Sequence, residues 1–162
     1  MAVVGYGKLG LLIAQVLAVR GGKVDLLGRH PEKLGIARKT GVRGLIRKPA
    51  RKYPYVVDAT GSAEGFAVAA SMVRPRGVLV MKSTVHDRVP VDMAPLIVNE
   101  ITLVGSRCGR FAPELKLLRE RALNLDAMIS AEYSLEDAPV AFERAAQRGA
   151  LKVLLRPGPP RT

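Results

Sequence analysis

The 162-residue chain has no tryptophan and a single cysteine, and aromatic side chains make up only 4% of it. One thiol, Cys108, excludes an intramolecular disulfide and a cysteine-rich zinc cage, and His30 and His86 are too few to complete a metal site with it. The scarcity of aromatics argues against a β-sandwich built on aromatic cross-strand pairs and favours layered helices and sheet. Acids are scarce as well: 14 Asp and Glu face 26 Lys and Arg, a formal net charge of +12. Such an excess calls for an anionic partner or a phosphate chemistry.

The rest of the composition is that of a folded domain. Apolar residues at 48% and charged residues at 25% exclude wholesale disorder and a collagen-like repeat. The length fits one domain, with 1–156 as its folded part and 157–162 as a disordered tail. The apolar start, MAVVGYGKLGLLIAQVLAV, lacks the basic region that precedes a signal peptide's apolar core. It also carries Lys8, Gln15 and three glycines, so no membrane span is expected and a cytoplasmic protein is the default.

The positive charge is concentrated between Arg20 and Lys52, where eleven Lys and Arg meet only Asp25 and Glu32. A specific nucleic-acid partner is not expected from it. Only Tyr53 and Tyr55 lie nearby for base stacking, and the cations are spread over a helix, a strand and a loop.

Short β-branched runs alternate with helix-period stretches, which predicts repeated strand-helix-strand units and a parallel sheet. Strands are expected at 2–4, 23–27, 42–46, 55–59, 78–81 and 101–105. Helices are expected at 8–20, with Leu9, Leu12, Ile13, Val16 and Leu17 at helical spacing, and then at 31–39, 62–73, 113–123 and 135–147. Pro75-Arg76-Gly77 reads as a turn, Leu151 to Leu155 as a last apolar run, and His86-Asp87, Tyr133 and Ser134 as turn or loop residues.

Gly5-Tyr6-Gly7-Lys8-Leu9-Gly10 matches G-x-G-x-x-G, directly after a strand and directly opening an amphipathic helix, the context a dinucleotide site requires. Gly5 would make the tight turn, Gly7 would let the backbone approach a pyrophosphate, and Gly10 would let the helix pack close on the sheet. The phosphates would meet the helix N-terminus around Lys8 and Leu9. The fold class that follows is α/β: a Rossmann doubly wound, six-stranded parallel sheet of order 3-2-1-4-5-6, with helices on both faces.

A site for NAD normally ends its second strand with an acid that binds the adenosine ribose hydroxyls. Here that place holds Gly28, followed by Arg29 and His30. A guanidinium can grip a 2′-phosphate with charge-assisted bonds worth roughly 1.5 to 3 kcal/mol, or about one to two decades of affinity. NADP is therefore expected over NAD, with His30 and Lys33 adding to the same pocket.

The segments VVGYGKLGLLIAQVL, LLGRHPEKL, VVDATGS, RPRGVLVMKST, NEITLVGSRCGRFAPELKLL and LEDAPVAFERAAQRGALKVLL span nearly all of residues 2–156. In this order they resemble the cofactor-binding, C-terminal domain of the zinc-type medium-chain alcohol dehydrogenases, in an alcohol-dehydrogenase-like and threonine-dehydrogenase-like branch. The resemblance implies that Ala59 and Thr60 line the adenosine side and that Lys82, Ser83 and Thr84 approach the nicotinamide. It also implies that Ser106 and Cys108 offer backbone groups to the carboxamide and that Lys152 meets the pyrophosphate. The sixth-strand edge would pair with its twin in a homodimer, and residues 134–156 would pack partly on the catalytic domain. In that family the catalytic zinc is held by a preceding domain, and no such domain is expected within these 162 residues. The expectation is a truncated chain that binds NADP, has no catalytic residue or metal of its own, and belongs to an oxidoreductase moving hydride between nicotinamide and an alcohol or carbonyl. A second reading is a stand-alone, non-catalytic dinucleotide sensor resembling the regulatory domains of potassium channels, which usually carry an acid where Gly28 stands.

Overall fold

A computed structural model describes residues 1–84 and 90–158. His86 and Asp87 lie outside the described residues, as does the tail from 159 on. The chain divides into two compact units, Met1–Leu123 and a second from Asn124 onward, where one domain over 1–156 is the sequence expectation.

The first unit is built from β1 (Ala2–Val4), α1 (Lys8–Val19), β2 (Asp25–Leu27), α2 (Pro31–Arg38) and β3 (Arg43–Leu45). It continues with β4 (Tyr53–Asp58), α3 (Ala63–Met72), β5 (Val73–Met81), α4 (Ala94–Val98), β6 (Thr102–Gly105) and α5 (Phe111–Arg119). The six strands form one sheet in the order β3-β2-β1-β4-β5-β6, and every neighbouring pair is parallel. The Rossmann order expected from the motif is therefore the observed one. Val3, in register with Leu26 on one side and Val57 on the other, marks the centre of the sheet. Ala2, Val56, Met72, Val73 and Leu79 are buried in the core beside it, as strands covered by helices on both faces require.

Parallel pairing sends the carboxyl ends of all six strands to one edge of the sheet, so the turns after β1, β2, β4, β5 and β6 gather there. Because β1 leads on to β2 while its other neighbour β4 leads on to β5, the chain departs in opposite directions at this point. A crevice opens at such a switch point.

The second unit holds a 3-10 turn (Asp126–Met128), β7 (Ile129–Ser134), α6 (Ala138–Ala146) and β8 (Lys152–Arg156). β7 and β8 pair in parallel, α6 connects them, and Met128, Ala141 and Leu151 are buried. No helix among the described residues is long and apolar enough to cross a membrane.

Four local expectations are corrected. Tyr133 and Ser134 belong to β7 and are not loop residues, because the run pairs with Leu155 and Arg156 of β8. Pro75-Arg76-Gly77 lies inside β5, where the pairing with β4 slips between Tyr53 and Tyr55 and Arg76 takes a φ of 59°. The five-residue helix α4 has no strong periodic signal and was not expected. The most buried stripe of α1 is Gly10, Leu11, Ala14 and Gln15, with Leu9 exposed, because the helix packs down at Gly10, backbone to backbone on the Gly5 turn.

Candidate functional site

The turn from β1 into α1 is shaped by backbone approach. Gly5 has a φ of 108°, a left-handed conformation open to glycine, and a Cβ there would stand 2.6 Å from the Ala59 carbonyl oxygen. A Cβ on Gly10 would collide with the Gly5 carbonyl, so helix and turn touch backbone to backbone. Gly7, the N-cap of α1, is different: nothing lies within 4 Å of where its Cβ would be. The first intrahelical bond runs from Leu11 N–H to Gly7 C=O at 3.0 Å. The amides of Lys8, Leu9 and Gly10 therefore precede the helix ladder, and no acid in the first turn offsets the positive dipole end. Lys8 and Leu9 are exposed beside this opening.

Across the switch point, the turn after β4 is locked by Asp58. Its buried carboxylate accepts the Thr60 N–H at 2.9 Å and the Thr60 hydroxyl at 2.7 Å. Ser62 caps α3 by accepting the Gly65 N–H at 3.0 Å. Ala59 N–H donates to Val4 C=O at 2.8 Å, which clamps this turn to the glycine turn. Lys82 N–H and the Ser83 hydroxyl both donate to the Asp58 carbonyl, at 3.0 and 3.4 Å. Thr84 follows them, exposed, and Ser106 N–H donates to Met81 C=O at 3.0 Å. Gly5, Gly7, Gly10, Ala59, Thr60, Lys82, Ser83, Thr84 and Ser106 thus stand at or directly after the carboxyl ends of neighbouring strands.

Gly5, Gly28 and Arg29 line one crevice of about 620 Å³. Arg29 is exposed and pairs with no carboxylate among the described residues. His30 and Lys33 come to the same place through Tyr6: the His30 ring lies 5.5 Å from the Tyr6 ring, and Lys33 Nζ lies 5.8 Å from its centre. Tyr6 itself, Ile46, Lys48 and Glu64 also line the crevice. Sequence reasoning missed all four. Tyr6 occupies a variable position of the motif, and the others arrive from the segments after β3 and β4, which only the sheet order brings alongside.

Two more expected residues lie later in the chain. Cys108 is exposed beyond β6. Lys152 opens β8 in the second unit and is exposed. Among the described residues no three His, Cys, Asp or Glu side chains come together as a ligand set, so the side chains described do not fit a zinc ion.

The opposite, amino ends of β2, β3 and β4 carry an ionic anchor. Asp25 is buried and accepts Arg43 Nε and Nη2 at 2.8 and 2.7 Å, the Tyr53 hydroxyl at 2.6 Å, and Arg51. Burial works against its charge, but the bonds from Arg43, Tyr53 and Arg51 prevail and hold the carboxyl at about 2. Burial and the neighbouring carboxylate push the Tyr53 phenol up. Two of the eleven cations in the basic stretch are thus structural, joining β2 to the start of β3 and to the segment leading into β4.

Known proteins share this fold. An L-threonine 3-dehydrogenase of Streptomyces avermitilis is 29% identical over 171 residues, covering 94% of this chain and 50% of that one. The solved L-idonate 5-dehydrogenase of Escherichia coli superposes with a TM-score of 0.85 at 23% identity, over 96% of this chain and 49% of that one. A structure described as a zinc-binding dehydrogenase of Sinorhizobium meliloti, bound to NADP, gives 0.82 at 23% identity, over 96% and 52%. The chain spans about half the length of the curated relatives it matches. The family described as zinc-binding dehydrogenase matches residues 9–124, from the first turn of α1 past β6. With most of the six-stranded unit inside that match, the chain belongs to the zinc-binding dehydrogenase family.

Proposed function

We propose that the crevice at the carboxyl ends of β1 and β2 binds NADP(H), and that this chain is the dinucleotide-binding portion of an alcohol-dehydrogenase-type oxidoreductase. One observation carries the reading: a glycine turn open at Gly7 stands beside an exposed Arg29, with glycine where an NAD site places its acid. The fit is physical. The space beside Gly7 admits a pyrophosphate oxygen to the amides of Lys8, Leu9 and Gly10, and Arg29 meets the 2′-phosphate with His30 and Lys33 near it. Ala59 and Thr60, held by Asp58, border the adenosine side, while Lys82, Ser83, Thr84 and the backbone at Ser106 and Cys108 extend the strand-end row toward the nicotinamide. Bound there, the nicotinamide supplies hydride exchange with an alcohol or carbonyl carbon in the whole dehydrogenase. The Sinorhizobium structure with NADP supports a nicotinamide dinucleotide as the ligand.

Titration of the chain with NADPH and NADH, followed by nicotinamide fluorescence, tests this. NADPH binds more tightly, and Arg29→Ala weakens it by roughly ten- to a hundredfold while leaving NADH nearly unchanged. Tighter NADH binding by the native chain, or no binding of either, overturns the reading.

The partner reading extends it. All four residues of β6 are exposed, including Leu103 and Val104, and β6 is the last strand of the sheet. An apolar free edge invites a further strand, and a second copy of this chain is the proposed occupant. Sedimentation of native and Val104→Lys chains distinguishes a dimer that the lysine dissolves from a monomer.

A further inference from the structure

We propose that Tyr6 sets which dinucleotide the crevice accepts: its ring fills the volume an acidic side chain at position 28 would need, and it gathers His30 and Lys33 beside Arg29. The inference rests on the reading of that crevice as a dinucleotide site.

Gly28 is more than an acid left out. A Cβ there would lie 2.5 Å from Tyr6 Cδ1 and Cγ and 2.8 Å from Tyr6 Cβ, inside any ordinary carbon contact. Gly28 is not among the glycines with positive φ, so space and not backbone conformation demands glycine. Its N–H donates to Leu45 C=O at 2.9 Å, so the end of β2 is held from the β3 side. An Asp or Glu aimed at ribose hydroxyls therefore has no room while Tyr6 keeps its place.

The same ring organises the cations. Lys33 Nζ stands 5.8 Å from the ring centre, within cation–π range, and the His30 ring packs at 5.5 Å, tilted by 53°. Glu32 lies 3.2 Å from His30 Nδ1, and Glu64 lines the crevice. Lys48 Nζ donates to Ser71 Oγ at 3.1 Å, which leaves Arg29 and Lys33, neither paired with a carboxylate among the described residues, as the cations that would meet a phosphate dianion rather than a bare ribose diol. One aromatic side chain thus performs both selections: it excludes the acid and collects the bases. Converting the site to NADH then requires two coupled changes, at 6 and at 28.

The test compares the native chain with Tyr6→Phe, Tyr6→Ala, Gly28→Asp and the double variant Tyr6→Ala/Gly28→Asp, reading NADPH and NADH affinity by fluorescence and stability by thermal melting. Tyr6→Phe keeps the native NADPH-to-NADH preference, and Tyr6→Ala lowers it about two- to fivefold. Gly28→Asp lowers the melting temperature and weakens both dinucleotides. The double variant melts higher than Gly28→Asp and binds NADH more tightly than NADPH. Should Gly28→Asp fail to fold, Gly28→Ala with and without Tyr6→Ala carries the steric part: the second change raises the melting temperature of the first. A Gly28→Asp chain that melts like the native one and prefers NADH overturns the role of Tyr6, as does a double variant that still prefers NADPH. Native protein that binds neither dinucleotide overturns the dinucleotide reading itself, an outcome distinct from a native NADPH preference that survives the double change.

Discussion

Replacing Asp25 by asparagine removes a buried charge at which two guanidinium groups and a phenol converge. The carboxyl's ordinary value of 3.8 falls to about 2 in the folded chain, because the bonds from Arg43, Tyr53 and Arg51 outweigh burial. With its side chain only 7% exposed, solvent screening discounts little of this. At about 1.4 kcal/mol per pH unit, the difference is worth roughly 2 kcal/mol of stability. The folded value lies below the unfolded one, so this contribution is complete above about pH 4 and is lost as the pH falls from there toward 2. Asp25→Asn should then lower the melting temperature at pH 7 by about 4 to 8 °C for a chain of this length. The gap to the native protein should narrow to a small fraction as the pH approaches 2, where about half of the native carboxyl is protonated. Circular dichroism melts of both proteins between pH 7 and 2 measure it. Equal melting at pH 7, or a gap that persists undiminished to pH 2, would refute the assignment of Asp25 as an ionic anchor. The anchor bears on function because it ties down the strand whose other end presents Gly28 and Arg29.

Gly7→Ala should leave the melting temperature within about 1 °C of native, since the new methyl meets only open space, yet weaken NADPH by roughly ten- to a hundredfold by occupying the pyrophosphate's approach. A fluorescence titration beside a melt separates the two effects. Gly10→Ala should do the reverse in order of cause: its Cβ meets the Gly5 carbonyl, so stability falls by about 1 to 3 kcal/mol in urea denaturation, and binding falls with it. Thr60→Val deletes the hydroxyl bond to Asp58 and leaves a buried carboxylate short of a donor, at a cost of about 1 to 3 kcal/mol readable in the same denaturation curves.

Much of the architecture is legible in the sequence. The glycine spacing, a strand before it and an amphipathic helix after it are local patterns, and parallel strands joined by helices admit few sheet orders. The row of strand-end residues from Gly5 to Ser106 follows from that order. Even so, local pattern misplaced detail wherever distant segments decide it. The apolar spacing of α1 predicts the helix but not its buried stripe, because Gly10, Ala14 and Gln15 are chosen by how closely the helix approaches the sheet. β7 was missed because its pairing partner, β8, lies about twenty residues further on.

By itself the sequence determined the layered class, the open turn at Gly7 and the missing acid after β2, since each depends on residue type at short spacing. Only the tertiary structure decided that Tyr6 occupies the space over Gly28, that Asp25 draws Arg43 and Arg51 together, and that Lys48 reaches the Arg29 crevice. Those contacts join residues 18 to 26 positions apart, and no periodicity in a chain encodes which of many possible distant neighbours will meet; packing in three dimensions selects them.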